Sequence, residues 1–303
     1  MAVKVLLDTD IGTDVDDAIC LAYLLAQPQC DLLGITTVSG ESGLRAALAS
    51  AICRHVGREV PIYPGAETPI LGEQKQRRAQ QAAALPRWPH QSSFPQDQAI
   101  DFMRETIRAY PGEVILLTIG PLTNAGLLFK ADPDIPALLK GMVMMGGVYK
   151  RESPEWHGSL LPRRIEWNTS GDPLATQIVF DAPLPNLRAL GLDVTQQVVL
   201  QAEQVRQRFT APLLAPVLDF AEIWFAEFFP SVTFHDPLSA AVIFEESLCS
   251  FQLGCVRVDL QAAPGRTYWE PGGLDARHQV AVSVDVEGYF NHFFNVVGYG
   301  QKQ

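Results

Sequence analysis

The sequence predicts an α/β fold of the Rossmann type, with an open and mostly parallel sheet flanked by helices. Two observations predict this fold. Short apolar runs without polar alternation are typical of buried parallel strands, and longer helical patterns separate these runs. The chain has 303 residues, of which 47% are apolar. That is enough to bury the core of a single domain with long loops over the carboxyl ends of its strands.

The predicted elements alternate between strand and helix along the first half of the chain. Buried strands are predicted at 3–7, 32–38, 114–119 and 142–145, and helices at 18–26, 44–55, 96–110 and 124–130. The second half adds predicted helices at 212–229, directly after 236 and at 287–297, and strands at 255–260 and 280–284. In such sheets ligands bind at the carboxyl ends of the strands, so chemistry is expected in the loops that follow strands.

The charge and cysteine content restrict the class of partner. A net charge of −11 argues against nucleic acid or an anionic membrane as partner, because both require basic patches. A small, weakly charged substrate is expected instead.

The five cysteines are odd in number and lack CxxC spacing, which indicates buried thiols in a reducing compartment. The sequence shows neither a signal peptide nor an apolar run of membrane-spanning length, so a cytoplasmic location is expected.

The most informative segment is an acidic turn between the first predicted strand and the first predicted helix. It places five carboxylates within ten positions, those of Asp8, Asp10, Asp14, Asp16 and Asp17. Carboxylates this close raise one another's pKa unless a hard cation or backbone donors keep them ionised. The turn therefore predicts a metal site at the carboxyl end of a strand.

The acidic turn allows other interpretations. An EF-hand is excluded, because counting from Asp8 puts Gly12 at the fifth loop position instead of the sixth. A haloacid-dehalogenase-like phosphohydrolase, with Asp8 as nucleophile and Asp10 as acid and base, would have Thr where Gly12 stands. It remains an alternative, as does a solvated loop in which Asp14, Asp16 and Asp17 only favour the helix dipole.

The whole pattern Asp-x-Asp-x-Gly-x-Asp-x-Asp-Asp-Ala at 8–18 resembles the N-terminal signature of the calcium-dependent nucleoside hydrolases, the inosine-uridine-preferring N-ribohydrolase family. Four further segments occur in the family's order and extend the resemblance to residue 237. They are Gly-Ile-Thr-Thr-Val-Ser-Gly at 34–40, Gly-Pro-Leu-Thr-Asn at 120–124, Met-Met-Gly-Gly at 144–147 with Glu-Trp-Asn at 166–168 and Asp-Pro at 172–173, and His-Asp-Pro at 235–237.

The resemblance implies one nucleoside-hydrolase-like domain over residues 1–303 that hydrolyses ribonucleosides to free base and ribose. It implies Ca²⁺ as cofactor, with Asp10, Asp17, Asp236 and the backbone carbonyl of Thr123 as ligands. Asp10 would also be the general base that activates the calcium-bound water. Asp8 would orient the ligands without contacting the ion.

The resemblance also implies substrate contacts and an assembly. Asp16, Glu166 and Asn168 would bind the ribose, and His235 would assist departure of the base. One of the aromatic side chains on the helix before it could line the base pocket, from the set Trp224, Phe225, Phe228 and Phe229. A homo-oligomer, dimer or tetramer, is expected. The role of Asp14 and the preferred base stay open.

The sequence departs from the family pattern in three places. Glu41 stands where Asn commonly contacts the sugar, and it can accept a hydrogen bond but not donate one. Gly158-Ser159 stands where the family has a Gly-Asn pair, close to Arg163 and Arg164. The segment 72–95 has little periodicity and is interpreted as a surface excursion or mobile flap. These departures keep a non-catalytic calcium-dependent nucleoside or sugar binder as a second alternative.

Overall fold

A computed structural model describes residues 2–150 and 165–299, and its largest feature is a nine-stranded sheet. The strands of this sheet are β1 (Val3–Thr9), β2 (Cys30–Thr37), β3 (Ile62–Pro64), β4 (Val114–Thr118), β5 (Gly141–Met145), β6 (Leu187–Leu190), β9 (Cys249–Val258), β10 (Thr267–Pro271) and β11 (His278–Val284). A small antiparallel ribbon joins β7 (Val199–Gln201) to β8 (Ser231–Thr233).

Helices cover the sheet. They are α1 (Asp16–Ala26), α2 (Ser42–His55), α3 (Ala99–Ala109), α4 (Thr123–Ala131), α5 (Ile135–Leu138), α6 (Trp167–Gly171), α7 (Pro173–Asp181), α8 (Leu192–Thr195), α9 (Ala202–Arg208), α10 (Ala215–Glu227), α11 (His235–Ala241) and α12 (Val286–Tyr299). Short 3-10 helices span Gln80–Arg87, Pro212–Leu214 and Glu246–Leu248. Neighbouring residues of β1 point into different cores, since Leu7 packs with α1 and α2 while Leu6 packs with α3 and α4. Both faces of the sheet are therefore buried, which explains the apolar runs.

The strand order places a crevice next to β1. The order is β10-β9-β11-β6-β5-β4-β1-β2-β3, and every pair from β11 to β3 is parallel, whereas β9 and β10 are antiparallel to their neighbours. The chain leaves β1 towards β2 on one side and returns to β4 on the other. Such a reversal opens a crevice at the strands' carboxyl ends, and the acidic turn follows β1 there.

The structure confirms the predicted fold class and the four early strands with their helices, within a few residues at each end. The later elements are confirmed too, although β9 begins earlier, at Cys249, and a 3-10 helix precedes α10. The prediction omitted β6, in which Arg188 interrupts the apolar run and pairs with Glu246 at the surface (2.5 Å). It also omitted the three-residue strands, which are too short to show periodicity. The five cysteines are free thiols, three buried and two half-buried.

The interpretation of 72–95 as a surface excursion or flap is wrong for its middle part. Ala79, Ala84 and Leu85 are buried, and the 3-10 helix packs against α2 and α10. These apolar residues are too few and too irregularly spaced to give a periodic signal. Arg163, Arg164 and the Gly158-Ser159 pair lie outside the described residues.

Candidate active site

Three carboxylates from two helix starts meet at the carboxyl end of the sheet. Oxygen atoms of Asp16 and Asp17, at the start of α1, and of Asp236, at the start of α11, lie within 4.8 Å of one another. All three residues are at least 96% buried. Asp16 accepts a hydrogen bond from the Asp236 backbone N–H (3.2 Å), and Asp17 accepts one from the Thr9 hydroxyl (2.5 Å). Burial first and mutual repulsion second raise the pKa of each carboxyl well above its usual range.

Asp10 lies beside this group, against the loop that follows β4. A Cβ atom on Gly120 would stand 2.8 Å from the Asp10 carboxylate, so only glycine leaves room for that side chain. Burial raises the pKa of Asp10, while the guanidinium charge of Arg45 lowers it. Asp10 also raises the pKa of both Asp17 and Asp236, which places its charge in the same cluster.

Arg45 lies fully buried beneath the acidic turn and holds its backbone. Its guanidinium donates to the carbonyls of Gly40 (2.8 Å), Ile11 (3.1 Å) and Arg78 (3.0 Å), to that of Gln76 (3.5 Å) and to that of Asp10. Sequence analysis missed this residue. Its one signal was a cation near the start of the mostly apolar helical stretch at 44–53.

Asp8 is held by neutral donors. Its Oδ1 atom accepts from the Thr36 hydroxyl (2.6 Å) and from the Asn124 amide (2.7 Å), and its buried Oδ2 atom has no partner among residues 2–150 and 165–299. Burial raises the pKa of Asp8 to about 7. Asn124 belongs to the Gly-Pro-Leu-Thr-Asn segment, but sequence analysis gave it no role.

Asp14 lies directly before the start of α1. Its carboxylate accepts from the backbone N–H of Val15 (2.6 Å), the residue that precedes the helix, and the N–H of Asp16 also lowers its pKa. Burial and the charge of Asp10 raise its pKa. Asp14 therefore fixes the end of the helix that carries Asp16 and Asp17.

Thr123 begins α4 and is buried at the same edge of the sheet. Its hydroxyl donates to Asp172 (2.9 Å), which also caps α7 through the Ala175 N–H (3.1 Å). The Thr123 side chain therefore links the start of α4 to the start of α7. Its backbone carbonyl is the group that the family resemblance makes a metal ligand.

Glu166 and Asn168 are buried at the start of α6. The Glu166 carboxylate accepts from the N–H groups of Asn168 (2.7 Å), Thr169 (2.9 Å) and Gly147 (3.0 Å). The Asn168 amide donates to the carbonyls of Ile119 (3.0 Å) and Met145 (3.2 Å). These bonds tie α6 to the ends of β4 and β5. Any contact with a sugar would use their remaining hydrogen-bonding capacity.

His235 stands next to Asp236 and is half-buried. Its Nδ1 atom lies 2.7 Å from the Thr195 hydroxyl, which is also 3.2 Å from the Gly191 carbonyl. If this hydroxyl donates to Gly191, it accepts from a protonated Nδ1; if it donates to Nδ1, the imidazole proton is on Nε2. Burial lowers the pKa of His235 to about 4, so the neutral ring predominates at pH 7.

Glu41 is exposed and its carboxylate is engaged outside the acidic cluster. Its Oε2 atom accepts from the Ala79 N–H (2.8 Å). Glu41 has a positive φ of 61°, and Ser39, two residues earlier, has a φ of 77°. Both residues precede α2. Such left-handed backbone at non-glycine residues is often found at binding sites.

The four aromatic side chains predicted on the helix before His235 divide into two groups, and Phe228 and Phe229 lie just beyond the end of α10 instead of on it. Trp224 stacks on Phe228 at 4.8 Å and contacts Phe229, and the latter two are exposed. Phe225 instead lies under Arg206 of α9. The first group precedes β8, which leads to His235.

The described structure thus brings Asp8, Asp10, Asp16, Asp17, Thr123 and Asp236 to one edge of the sheet and places Glu166 near Asp10, whose pKa its charge raises. It does not bring the Glu41 carboxylate into that cluster. Within residues 2–150 and 165–299, no helix has the length and apolar composition needed to cross a bilayer.

Comparison with known proteins agrees with this geometry. The pyrimidine-specific ribonucleoside hydrolase RihA of Salmonella arizonae is 30% identical, over 95% of this chain and 96% of the relative. The probable uridine nucleosidase 1 of Oryza sativa subsp. japonica is 29% identical, over 89% of this chain and 85% of the relative.

A solved structure is similar along the whole chain. The purine-preferring ribonucleoside hydrolase from Gardnerella vaginalis matches with a TM-score of 0.81 at 27% identity, covering 99% of this chain and 100% of that one. The sequence model of the inosine-uridine preferring nucleoside hydrolases matches residues 5–291. The phosphohydrolase alternative is therefore set aside, and the chain belongs to the inosine-uridine preferring nucleoside hydrolase family.

Proposed function

We propose that this nucleoside hydrolase cleaves the N-glycosidic bond of ribonucleosides in a calcium-dependent reaction with Asp10 as general base. The observation that carries the proposal is the group of three buried carboxylates from Asp16, Asp17 and Asp236, with Asp10 beside them. Their raised pKa values mean that the protein alone does not compensate their charge. An all-oxygen donor set of this kind suits a hard divalent cation.

The residues that would hold Ca²⁺ are Asp10, Asp17, Asp236 and the carbonyl of Thr123, with Asp16 facing a ribose hydroxyl. Asp16 lies close to the proposed ligands Asp17 and Asp236. A single sugar hydroxyl could therefore contact both the Asp16 carboxylate and the ion. When bound, the cation would keep the carboxylates ionised, acidify a coordinated water and attract ribose hydroxyls.

The residues of the chain supply the rest of the chemistry. Water attacks the anomeric carbon and gives a proton to Asp10, while the electron pair of the breaking C–N bond goes to the base. The sugar becomes oxocarbenium-like, and the surrounding carboxylates stabilise its positive charge. Asp8, Asn168 and Glu166 hold the ends of β1, β4 and β5 in place through their hydrogen bonds.

His235 is proposed to assist departure of the base. The neutral imidazole that burial favours has one N–H, and Thr195 determines which nitrogen carries it. Proton donation to the base requires either the Nε2–H tautomer or a protonated ring. The assistance is therefore expected to matter most for bases that leave poorly without a proton.

The proposal extends to location, assembly and base. Five free cysteines support a reducing, cytoplasmic environment, and the family resemblance supports a homo-oligomer engaged in purine or pyrimidine salvage. The relatives' names include uridine, pyrimidine and purine preferences, so both classes of base are proposed as test substrates.

The test is a panel of purine and pyrimidine ribonucleosides assayed for free base, with calcium-loaded and chelator-treated enzyme. We expect release that is lost on chelation and restored by Ca²⁺. Asp10→Ala should lower kcat by about 10²- to 10⁴-fold, whereas Asp31→Asn, at an exposed carboxylate on β2, should leave it unchanged. Calcium binding without release of any base would contradict the proposal and favour the non-catalytic binder.

A further inference from the structure

We propose that Gln76 is a positioning residue that holds the Asp10 carboxylate in place, and that Trp167 fixes the orientation of the Gln76 amide. The inference rests on the proposed function, since it assigns Asp10 the role of proton acceptor. It gives a role to the segment 72–95, for which the sequence indicated none.

The backbone of Gln76 is fixed against the loop that follows β2. Its carbonyl accepts from the Gly40 N–H (3.1 Å), and its N–H donates to the side chain of Gln74 (2.7 Å). Three residues later, Ala79 donates to Glu41. The segment 76–79 is therefore attached at both ends to the turn at 40–41. Gln76 itself is 9% exposed, so its side chain is buried at this junction.

The Gln76 amide lies between Trp167 and Asp10. Its Oε1 atom accepts from the Trp167 indole N–H (2.8 Å). Arg45 bonds to the backbone carbonyls of both Gln76 and Asp10, and the Gln76 side chain is close enough to the Asp10 carboxylate to lower its pKa as a hydrogen-bond donor. An indole nitrogen can only donate, and an ionised carboxylate can only accept. The carbonyl end of the amide must then face Trp167, and the NH₂ end must face Asp10. The two partners together allow one orientation of the amide.

This contact supplies what a buried general base needs. Asp10 must keep one oxygen free for the proton of water, so its other hydrogen bonds have to hold the carboxylate in a single rotamer. Arg45 binds the Asp10 backbone carbonyl and not its carboxylate. Glu41 cannot donate, and its carboxylate is occupied by Ala79. Gln76 provides a neutral side-chain donor to Asp10 from a segment far along the chain.

The role of the Trp167 indole N–H can be tested separately from that of its ring. Trp167 lies between Glu166 and Asn168 in the sequence and is 40% exposed, and its indole N–H is used by Gln76. A Trp167→Phe change removes the N–H and keeps most of the ring. It thus separates the orienting role of the indole from any packing role of the ring.

The experiment compares Gln76→Ala, Gln76→Glu and Trp167→Phe with wild type in steady-state kinetics on the best nucleoside of the panel. Trp88→Phe is the matched control, because the Trp88 indole donates to Asp219 on α10, away from the site. Melting temperature and calcium affinity by calorimetry are measured on every variant, so that loss of folding or of metal is detected separately.

Gln76→Ala is expected to lower kcat and kcat/KM together by about 10- to 100-fold, with KM within about threefold, as for loss of a group that orients a reacting residue. Gln76→Glu should lose more, because it directs an acceptor at Asp10. Trp167→Phe should lose less than Gln76→Ala, and Trp88→Phe should equal wild type.

Two kinetic results would overturn the inference while leaving the proposed function intact: a kcat of Gln76→Ala within twofold of wild type, or a rise in KM alone. Equal losses in Trp88→Phe and Trp167→Phe would also overturn it, since the effect would then not depend on the bond to Gln76. A folded, calcium-loaded wild type that releases no base would remove the proposed function and this inference together.

Discussion

Replacing Arg45 by methionine is expected to destabilise the protein by about 4 kcal/mol. Methionine retains the apolar stem of the side chain and removes the guanidinium. The buried carbonyls of Gly40, Ile11 and Arg78, bonded at 2.8, 3.1 and 3.0 Å, then lose their donor, and Asp10 loses both a bond to its carbonyl and a neighbouring positive charge.

The magnitude follows from these losses. A buried acceptor left without a partner costs about 1–3 kcal/mol, and backbone relaxation keeps each of the three carbonyls near the lower limit. Removing one member of a buried charged group costs about 3–5 kcal/mol in measured cases, because the opposite charge stays buried. The two routes agree on roughly 4 kcal/mol. That is a large share of a total stability of about 5–15 kcal/mol.

The assay is urea unfolding of calcium-loaded protein, followed by tryptophan fluorescence and circular dichroism. Arg45→Lys keeps the charge but can reach fewer carbonyls, so we expect it to lose about half as much as Arg45→Met. Arg54→Met is the control, because Arg54 lies exposed on the same helix. An Arg45→Met protein within about 1 kcal/mol of wild type would show that the acidic turn keeps its conformation without the guanidinium.

Three further predictions concern single side chains. His278 accepts from the Val256 N–H and donates to the Phe180 carbonyl, and burial lowers its pKa, so its contribution to stability is present above pH 6.5 and is lost as the pH falls towards its folded pKa. Urea midpoints at pH 7.5 and 5.5 should therefore differ more for wild type than for His278→Gln, and identical differences would exclude this role. His235→Ala should slow natural nucleosides much more than 4-nitrophenyl riboside, whose leaving group needs no proton; equal losses would remove His235 from that step. Glu41→Ala should cost about 1 kcal/mol of stability because Ala79 loses its acceptor, whereas Glu41→Gln should cost little, and melting temperatures distinguish the two.

The fold was predictable because its signals are local. Val5, Leu6 and Leu7 are all completely buried, and a run without alternation is what two covered faces of a sheet require. The acidic turn was predictable for a similar reason. Five carboxylates within ten residues stand out in the sequence. The apolar run before them and the helical pattern after them place them between β1 and α1.

The residues that sequence analysis missed act over long distances along the chain. Arg45 bonds to the carbonyl of Arg78, and Gln76 bonds to Trp167. Neither contact follows from periodicity or spacing, because each depends on how the segment 72–95 packs. A lone arginine or glutamine is also an ordinary surface residue, so its type indicates no role until its burial is known.

Asp8 and Asp10 show how neighbouring carboxylates acquire different properties. Among the described residues, Asp8 accepts hydrogen bonds from two neutral donors, and burial raises its pKa to about 7. Burial also raises the pKa of Asp10, to about 6, but the charge of Arg45 and the amide of Gln76 oppose that rise. Both residues are buried at the end of β1, so their partners determine the difference between them. Asp8 is held by Thr36 and Asn124, whereas Asp10 has a nearby guanidinium charge that favours its ionised form, the form that can take a proton. The environment of the first carboxylate thus favours a structural role and that of the second favours a chemical one.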